Sequence, residues 1–342
     1  MSSLRATALA PDCSVVVPVY RNEADIGDLL ARLADLDARV PGGIEAVCVV
    51  DGSPDACHAR LASALPAMPF PSRLLLLSRN FGSFAAVREG LRAGRGRWFA
   101  IMSADLQEDA TVVPAFLDAL REGEADVVLG VREVRADPWM ERMAARMFWG
   151  LYRTFIRRDL PPGGVDVFGC NAAFRDQLVR LGESYSSLVG QILWLGFRRK
   201  LVPYRRVARR RGRSAWTIRR KVDYLLDSVY AFSDLPVRVF VALGTLGIVV
   251  SIALTAAVLT AKVMGSIPVP GYAATVLTIV FFGSLNLLGL GIIGSYVWRA
   301  YENTKGRPLA VVMREDAYAP GIGARADARS SAAATAASVG GR

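Results

Sequence analysis

The sequence predicts an α/β fold in which a mostly parallel sheet carries helices on both faces and is followed by two membrane-spanning helices. Over residues 12–130, short apolar runs alternate with helical patterns, as in strands that are joined by helical crossovers. Further along the chain, two long stretches contain no charged residue, and each is long enough to form a helix that crosses a bilayer.

Five strands are predicted from the apolar runs, which are bounded by polar or turn residues. In chain order they are SVVVPVY, EAVCVV, RLLLLS, RWFAIMS and ADVVLG. Helical periodicity follows the first four of them, with helices expected to begin near Glu23, Asp55, Phe81 and Thr111. No GxGxxG or GxxxxGK(S/T) motif accompanies the sheet, so neither a dinucleotide fingerprint nor a P-loop is predicted.

The composition agrees with a chain that lies partly in a membrane. Of the 342 residues, 52% are hydrophobic and 21% are charged, which is more apolar than is usual for a soluble enzyme. The net charge is +11 and comes almost entirely from arginine, whose forked guanidinium suits phosphate groups. A single histidine and four cysteines without CxxC spacing argue against a zinc site and indicate reduced, cytosol-facing thiols.

Two membrane spans are predicted, over residues 239–261 and 272–298. The first has 23 uncharged residues, which as a helix reach about 34 Å at about 1.5 Å per residue. Basic residues crowd both outer flanks of the pair, whereas the turn between the spans carries only Lys262, so both termini are expected in the cytoplasm. The expected location is the inner (plasma) membrane, multi-pass, with the α/β domain cytoplasmic. A buried helical hairpin in a soluble core is the alternative.

The remaining segments are divided as follows. Residues 1–11 are expected to be a flexible N-terminus, 12–213 the α/β domain, 214–236 a juxtamembrane amphipathic helix, 237–298 the membrane hairpin and 299–342 a largely disordered cytoplasmic tail. Within the α/β domain, residues 138–158 have the pattern of a helix in the membrane interface or of an ordinary core-facing helix. The basic segment 198–221 contains no acidic residue, and it is expected to lie on anionic lipid rather than nucleic acid because a span follows it.

Polar residues follow three predicted strands, at residues 18–23, 51–53 and 103–107. The carboxyl ends of parallel strands meet at one edge of a sheet, where ligands bind. This set of motifs resembles glycosyltransferase family 2, the GT-A (Rossmann-like) nucleotide-sugar enzymes, over about residues 12–300. The resemblance is strongest to the membrane-bound branch that includes dolichol-phosphate mannose synthase and bacterial polyprenyl-phosphate glycosyltransferases.

The resemblance implies a set of residues that bind the donor nucleotide. The PVYRNE segment resembles the family's VPVYNE-like opening, and Asp51 matches the second acidic residue of a DDGS motif in which Val50 replaces the first. The SRNFG segment matches the family's own, with its basic residue near the donor phosphates at a helix start. The donor-binding residues implied are Pro18, Tyr20, Glu23, Asp51, Arg79, Asn80, Ser103 and Ala104.

A divalent cation, Mg²⁺ or Mn²⁺, is implied by the resemblance of SADLQ to the family's metal-binding DADLQ motif. Asp105 and Gln107 are the metal ligands implied, because carboxylate and amide oxygens suit a hard cation on a diphosphate. Ser103 replaces the first carboxylate of the motif. Two alternatives stay open: Glu108 contributes to metal binding, or the enzyme uses no metal and arginines hold the diphosphate instead.

The acceptor side is implied by the segment RRRGRSAW, which resembles the family's RxxGxSKW-like loop with Ala215 in place of lysine. The residues implied to bind the donor diphosphate and the acceptor phosphate are Arg206, Arg209, Arg211, Arg213 and Ser214. The loop over residues 159–166 is implied to lie at the acceptor, with Asp166 as the nearest carboxylate. The catalytic set implied by the resemblance is therefore Asp105, Asp166 and Arg209.

The function implied is inverting transfer of a sugar from a nucleotide-diphosphate sugar to a membrane polyprenyl phosphate of the undecaprenyl or dolichyl type, for modification of cell-envelope glycans. Two alternatives stay open: a lipid-linked glycan hydroxyl as acceptor, with a carboxylate such as Asp166 as general base, and a non-catalytic scaffold, because Val50, Ser103 and Ala215 depart from the family pattern. No nucleic-acid partner is expected, and the sugar and a homo-oligomeric state are left open.

Overall fold

A central sheet of eight strands organises the described part of the chain. The computed structural model describes residues 11–132, 150, 165, 167–205, 226–231, 233, 235–264 and 271–320. The strands are β1 (Cys13–Val19), β2 (Ile44–Val50), β3 (Ser72–Leu77), β4 (Trp98–Ile101), β5 (Val127–Arg132), β6 (Phe168–Asn171), β7 (Arg199–Tyr204) and β8 (Val312–Tyr318). Their order across the sheet is β7-β5-β6-β4-β1-β2-β3-β8.

Within the same residues, eight α-helices are assigned. They are α1 (Ile26–Arg39), α2 (Cys57–Ala64), α3 (Ser83–Ala93), α4 (Val112–Arg121), α5 (Ala172–Arg180), α6 (Leu188–Trp194), α7 (Leu235–Val263) and α8 (Tyr272–Thr304). The first four begin within three residues of the positions predicted from periodicity. The periodicity predicts them well because each buries one apolar stripe, such as Ile26, Leu29, Leu30, Leu33 and Leu36 in α1.

The sheet is mostly parallel, and the predicted fold class is confirmed. β1 pairs in parallel with β2 and β4, and β2 pairs in parallel with β3. β5 and β7 are also parallel, whereas β6 runs antiparallel to β4 and β5. All seven residues of β2 are buried, which explains why its sequence is an apolar run rather than an alternating one.

Helices cover both faces of this sheet. Successive side chains of β1 point to opposite faces, so that Val15 packs with Leu29 of α1 on one side. Val16 belongs to the core on the other side, together with Leu91 of α3 and Phe174 of α5. The sheet is therefore packed between two apolar layers, and the loops at its carboxyl edge extend from this packed core.

The two long helices, α7 and α8, contain the predicted membrane spans and extend past their ends. A Cβ atom on Gly289 would lie 2.0 Å from the Phe240 ring, so α7 approaches α8 where glycine makes room for that ring. Of the described residues, one helical segment, Phe281–Thr304, is long and apolar enough to cross a membrane, and Pro236–Gly247 is a shorter apolar segment. That one segment supports a membrane association, while the second span and the multi-pass topology stay predictions.

The chain after α8 returns to the sheet, so the prediction of a largely disordered tail over residues 299–342 is wrong for its first part. α8 continues to Thr304, and β8 then pairs antiparallel with β3 at the edge of the sheet. The sequence VMREDAY gives little strand signal, because an edge strand has one side open to solvent and tolerates charged residues. Residues 321–342 lie outside the described residues.

The beginning of the basic segment 198–221 also belongs to the sheet. Residues Arg199–Tyr204 form β7, and two neighbouring basic side chains bind acidic residues of the domain. Arg198 pairs with Asp126 at 3.0 Å and Lys200 with Glu122 at 2.7 Å. We therefore keep the prediction of contact with anionic lipid only for the later part of the segment. The other predicted elements at 1–10, 138–149, 151–158 and 214–225 lie outside the described residues.

Candidate active site

The carboxyl ends of β1, β2 and β4 bring the predicted donor-binding segments together. β1 lies between the other two strands, and Val19 is paired with Val50 at their ends. The amide of Asp51 donates to the Val19 carbonyl at 3.0 Å, and the amide of Met102 donates to the Val16 carbonyl at 3.0 Å. The loops that follow these three strands therefore meet at one edge of the sheet, as predicted.

Asp51 is buried at this edge and binds the loop that precedes α3. Its Oδ1 accepts a hydrogen bond from the Phe81 amide at 2.7 Å, and its Oδ2 accepts one from the Gly82 amide at 2.9 Å. The side chain of Asn80 donates to the Asp51 carbonyl at 3.4 Å. A carboxylate in this position neutralises the partial positive charge of the helix N-terminus. Asp51 thus organises the loop, and its predicted contact with the nucleoside stays a prediction.

Gly52 allows the β2 and β3 ends to approach each other. Its φ is +55°, and a Cβ atom would lie 2.2 Å from the carbonyl carbon of Arg79. A glycine is required here on both counts, because an L side chain would be strained and would collide with the neighbouring backbone. The close contact sets the position of Arg79 and Asn80 beside the end of β2.

Arg79 is exposed at the same edge, and its guanidinium stacks on the Phe81 ring at 4.1 Å. Nη1 of Arg79 donates to the Asn80 carbonyl at 3.4 Å. This places a cation next to the start of α3, as the sequence predicts. Since Asp51 already accepts from the last two amides before α3, the exposed Arg79 is the residue of this segment best placed to meet an anion.

The loop after β1 is interlocked with the loop after β2. The amide of Arg21, which has a φ of +57°, donates to Ser53 Oγ at 2.8 Å. Glu23 accepts from the Ala56 amide at 3.2 Å, and its own amide donates to Asp55 at 3.2 Å. Pro18 and Tyr20 are half-buried beside this pair of loops. Glu23 therefore joins the two loops, and its contact with the donor stays a prediction.

The pKa of Asp55 is lowered by this network. Burial raises its pKa, but hydrogen bonds from the Cys57 and Ser53 side chains and from the Cys57 and Glu23 amides outweigh that effect. Asp55 is therefore a stably ionised anchor for the paired loops.

The segment over residues 103–107 turns sharply after β4. Leu106 has a φ of +53°, and the amide of Gln107 donates to Asp105 Oδ1 at 3.4 Å. Both predicted metal ligands, Asp105 and Gln107, are half-buried, and Ala104 is buried beneath them. The turn thus presents a carboxylate and an amide from positions two residues apart at the carboxyl edge.

Ser103 binds a carboxylate that the resemblance did not assign. Its hydroxyl donates to Glu108 Oε1 in a short hydrogen bond, and its amide donates to Glu108 Oε2 at 3.3 Å. Glu108 is 7% exposed. Burial raises the pKa of Glu108, and the nearby charge of Asp105 raises it too, against the lowering effect of the hydrogen bonds. The sequence signal for this pair was the serine in place of the first carboxylate, with Glu108 five residues later.

Among the described residues, no group of three or more His, Cys, Asp and Glu side chains is arranged to hold a metal ion. Asp105 and Gln107 alone supply two hard oxygens of the kind that a divalent cation prefers. The donor set therefore fits a cation whose remaining ligands come from a bound diphosphate and water.

The predicted acceptor residues are not described by the structure. Asp166 and the predicted phosphate-binding residues Arg206, Arg209, Arg211, Arg213 and Ser214 lie outside the described residues. Asp105, the described member of the predicted catalytic set, lies at the carboxyl edge, and the roles of Asp105, Asp166 and Arg209 stay predictions.

A buried arginine on α3 was missed at the level of sequence. Arg88 is 4% exposed, and it donates to Gln191 Oε1 at 2.9 Å and to the Leu178 carbonyl at 2.8 Å. Burial lowers the pKa of Arg88. Gln191 lies 103 residues from Arg88 in the chain, so the hydrogen bond between their side chains joins α6 to α3 without any local sequence signal.

Comparison with known proteins identifies relatives of this chain. Residues 14–182 match the family described as Glycosyl transferase family 2. An uncharacterised glycosyltransferase of Synechocystis sp. is 30% identical over 302 residues, which are 88% of this chain and 94% of that protein. A bactoprenol glucosyl transferase of Shigella phage SfX is 27% identical over 300 residues, which are 87% and 98% of the two chains.

Among solved structures, glucosyl-3-phosphoglycerate synthase from Mycobacterium tuberculosis is similar with a TM-score of 0.44 and 20% identity, covering 59% of this chain and 73% of that one.

The fold and the carboxyl edge define an α/β enzyme that binds its ligands where parallel strands end. Together with the matched family and the relative of 30% identity, they identify it: the chain belongs to glycosyl transferase family 2, and it is a glycosyltransferase. The family resemblance drawn from the strand-end motifs is confirmed.

Proposed function

We propose that this glycosyltransferase acts at a membrane and moves a sugar from a nucleoside-diphosphate donor to a polyprenyl phosphate, with inversion at the anomeric carbon. One observation carries the proposal: the apolar segment Phe281–Thr304 leads directly into β8, a strand of the sheet that carries the family's site. The relatives named bactoprenol glucosyl transferase, which align over most of their length with this chain, support the same acceptor class.

On the donor side, Tyr20 and Pro18 stand beside the nucleoside and Arg79 meets the diphosphate at the start of α3. Asp51 contributes by holding the loop of Arg79 against the sheet. Asp105 and Gln107 would hold Mg²⁺ or Mn²⁺, and a cation held there would supply positive charge to the diphosphate leaving group.

On the acceptor side, a polyprenyl phosphate is already ionised at neutral pH and needs no general base to become a nucleophile. One of its oxygens forms a bond to the anomeric carbon, while the bond from that carbon to the donor diphosphate breaks and the nucleoside diphosphate leaves with the electron pair. The donor diphosphate and the acceptor phosphate are brought together by the phosphate-binding residues Arg206, Arg209, Arg211, Arg213 and Ser214. Asp166 positions the acceptor. Nothing in the described residues favours a hydroxyl acceptor or a scaffold instead.

In this proposal α7 and α8 are both membrane spans, and the catalytic domain and both termini lie in the cytoplasm at the plasma membrane. Basic residues on the outer flanks of the pair support that orientation.

The test is transfer of label from a panel of nucleotide sugars to a short polyprenyl phosphate by the purified full-length protein. Label is expected in the lipid phase with Mn²⁺, and it is expected to disappear with EDTA and in Asp105→Ala. The matched control is Asp118→Ala, because the Asp118 side chain is 71% exposed on α4. Label that persists undiminished in Asp105→Ala would contradict the metal assignment, and no label with any donor would contradict the acceptor.

A further inference from the structure

The end of α8 is fastened to the catalytic domain through one loop, residues 183–187, which we call the docking loop. The amide of Ser184 in this loop donates to Asn303 Oδ1 of α8 at 3.0 Å. The Tyr185 ring of the same loop lies 5.1 Å from the guanidinium of Arg299, which is also on α8. The long apolar helix therefore has a direct contact with the domain that carries the site.

Arg299 is held from several sides. Its Nη2 binds Asp227 Oδ1 at 2.9 Å, and the Tyr230 ring lies 4.7 Å from its guanidinium. The side chain is 18% exposed, so water screens these interactions little. A planar guanidinium suits a position between two aromatic rings and a carboxylate, which a lysine ammonium fills less well. Arg299 thus joins three parts of the chain: α8, the residues around 227–230 and the docking loop.

The docking loop continues into a chain of hydrogen bonds that reaches α3. Glu183 Oε2 accepts from Gln191 Nε2 at 2.7 Å, and Gln191 Oε1 accepts from Arg88 at 2.9 Å. Ser187 caps α6 by accepting from the Gly190 amide at 3.2 Å. The docking loop is therefore anchored in the catalytic domain, on α3 and α6.

The docking loop lies at the depth where α8 carries aromatic and basic residues. Trp298 and Tyr301 are 53% and 55% exposed, and Lys305 Nζ lies 4.4 Å from the Tyr301 ring. Exposed tryptophan, tyrosine and lysine at the end of an apolar helix are typical of the boundary between membrane and water. The docking loop would therefore meet α8 at the lipid headgroups.

We propose that Arg299 is a positioning residue for acceptor use: with Asn303 it fixes the docking loop, and so sets the height and orientation of the sheet's carboxyl edge above the bilayer. The inference rests on the proposed function, because it concerns an acceptor that stays in the membrane. β8 and the hydrogen bond from Ser184 to Asn303 keep the domain attached to α8 when Arg299 is changed, but these two attachments leave the domain free to tilt. Transfer to a lipid phosphate then becomes slower, while the donor still binds.

A disulfide across the contact tests the arrangement itself. Ser184→Cys and Asn303→Cys are introduced together into the full-length protein in nanodiscs, where oxidation is expected to join them. The four native cysteines are buried, and burial raises the pKa of the Cys48 and Cys57 thiols to about 12, so these thiols compete little. We expect Arg299→Ala to slow disulfide formation about tenfold or more, as loss of an ion pair and two ring contacts implies. An unchanged rate, or no disulfide in either protein, would overturn the inference.

Kinetics test the functional part. Arg299→Ala is expected to lower kcat/KM for polyprenyl phosphate about tenfold with an unchanged Kd for the nucleotide donor, and the preformed disulfide is expected to restore transfer to within about twofold. Arg299→Lys should restore little, whereas Tyr185→Phe, which keeps the ring, should behave as the unchanged protein. An equal loss of donor affinity or a failure of the disulfide to restore transfer would show a merely structural role.

If the unchanged protein transfers no label to polyprenyl phosphate, the proposed function fails. The comparison of disulfide rates still decides whether Arg299 fixes the docking loop, so the two failures are distinguishable.

Discussion

The carboxylate of Asp51 bridges two successive backbone amides, those of Phe81 and Gly82, with hydrogen bonds of 2.7 and 2.9 Å. Through this bridge the end of β2 determines where the loop before α3 lies, although 30 residues separate the partners. Asp51 therefore binds the protein's own backbone, and through the position of that loop it determines where Arg79 lies.

Replacing Asp51 by asparagine should weaken this bridge. The amide nitrogen of asparagine cannot accept a hydrogen bond, so one loop amide is left unpaired in a buried place at a cost of about 1–3 kcal/mol. We expect Asp51→Asn to lower the thermal midpoint of the detergent-solubilised protein by several degrees, at about 2–4 °C per kcal/mol, and to weaken donor binding. Asp118→Asn, on an exposed side chain, is the control. An unchanged midpoint and donor Kd would contradict the role given to this bridge.

Gly52→Ala should be more harmful than the same change at another glycine with positive φ. At Gly52 the new Cβ meets the Arg79 backbone at 2.2 Å, whereas at Gly123, with a φ of +74°, nothing lies within 4 Å. Backbone strain alone costs about 1–2 kcal/mol and the collision adds about 1–3 kcal/mol. Thermal midpoints of Gly52→Ala and Gly123→Ala measure the difference, and equal midpoints would show that the loop moves aside without cost.

The buried carboxyl of Glu108 predicts a pH dependence of stability. Because its pKa is raised in the folded protein, the folded state holds the proton more tightly than the unfolded state, and stability falls as pH rises from the ordinary glutamate pKa, about 4.5, towards the raised value. Glu108→Gln removes this titration. The midpoint of Glu108→Gln should therefore rise relative to that of the unchanged protein as pH increases through this range. Parallel midpoint curves would contradict the prediction.

Removal of Arg73 should strongly destabilise the edge of the sheet where β8 is added. Arg73 donates to the buried Glu45 at 3.1 Å and also binds Glu315 of β8. Arg73→Met leaves the Glu45 carboxylate without this cation, at a cost of about 3–5 kcal/mol. Arg314→Met, which removes an ion pair of a 60% exposed side chain on β8, should cost no more than about 1 kcal/mol. Thermal midpoints compare the two variants, and similar losses would show that burial of the Arg73 pair is unimportant.

The sequence predicts those parts of the fold whose signal is local. The runs SVVVPVY and EAVCVV become β1 and β2 because strands covered on both faces need apolar side chains at most positions. The strand-end motifs also meet as expected, since parallel strands bring their carboxyl ends to one edge.

What the sequence does not predict depends on partners far along the chain. β8 is a charged edge strand, and nothing in VMREDAY indicates that it pairs with β3. The same holds for the hydrogen bond between Arg88 and Gln191 and for the contact of Arg299 with Tyr185. In each pair, the sequence around one residue does not indicate its partner. In the site, the sequence shows that Ser103 replaces the first carboxylate of the metal motif, whereas its hydrogen bonds to Glu108 could be found only in three dimensions.

The place of β8 in the chain also governs how the protein is made. Arg73 meets Glu315 across 242 residues, and the two long helices are translated between them. During synthesis β3 therefore remains an open sheet edge until the ribosome has released the segment beyond α8. Such an edge invites pairing with other chains, so a chain whose synthesis stalls before residue 312 is exposed to aggregation.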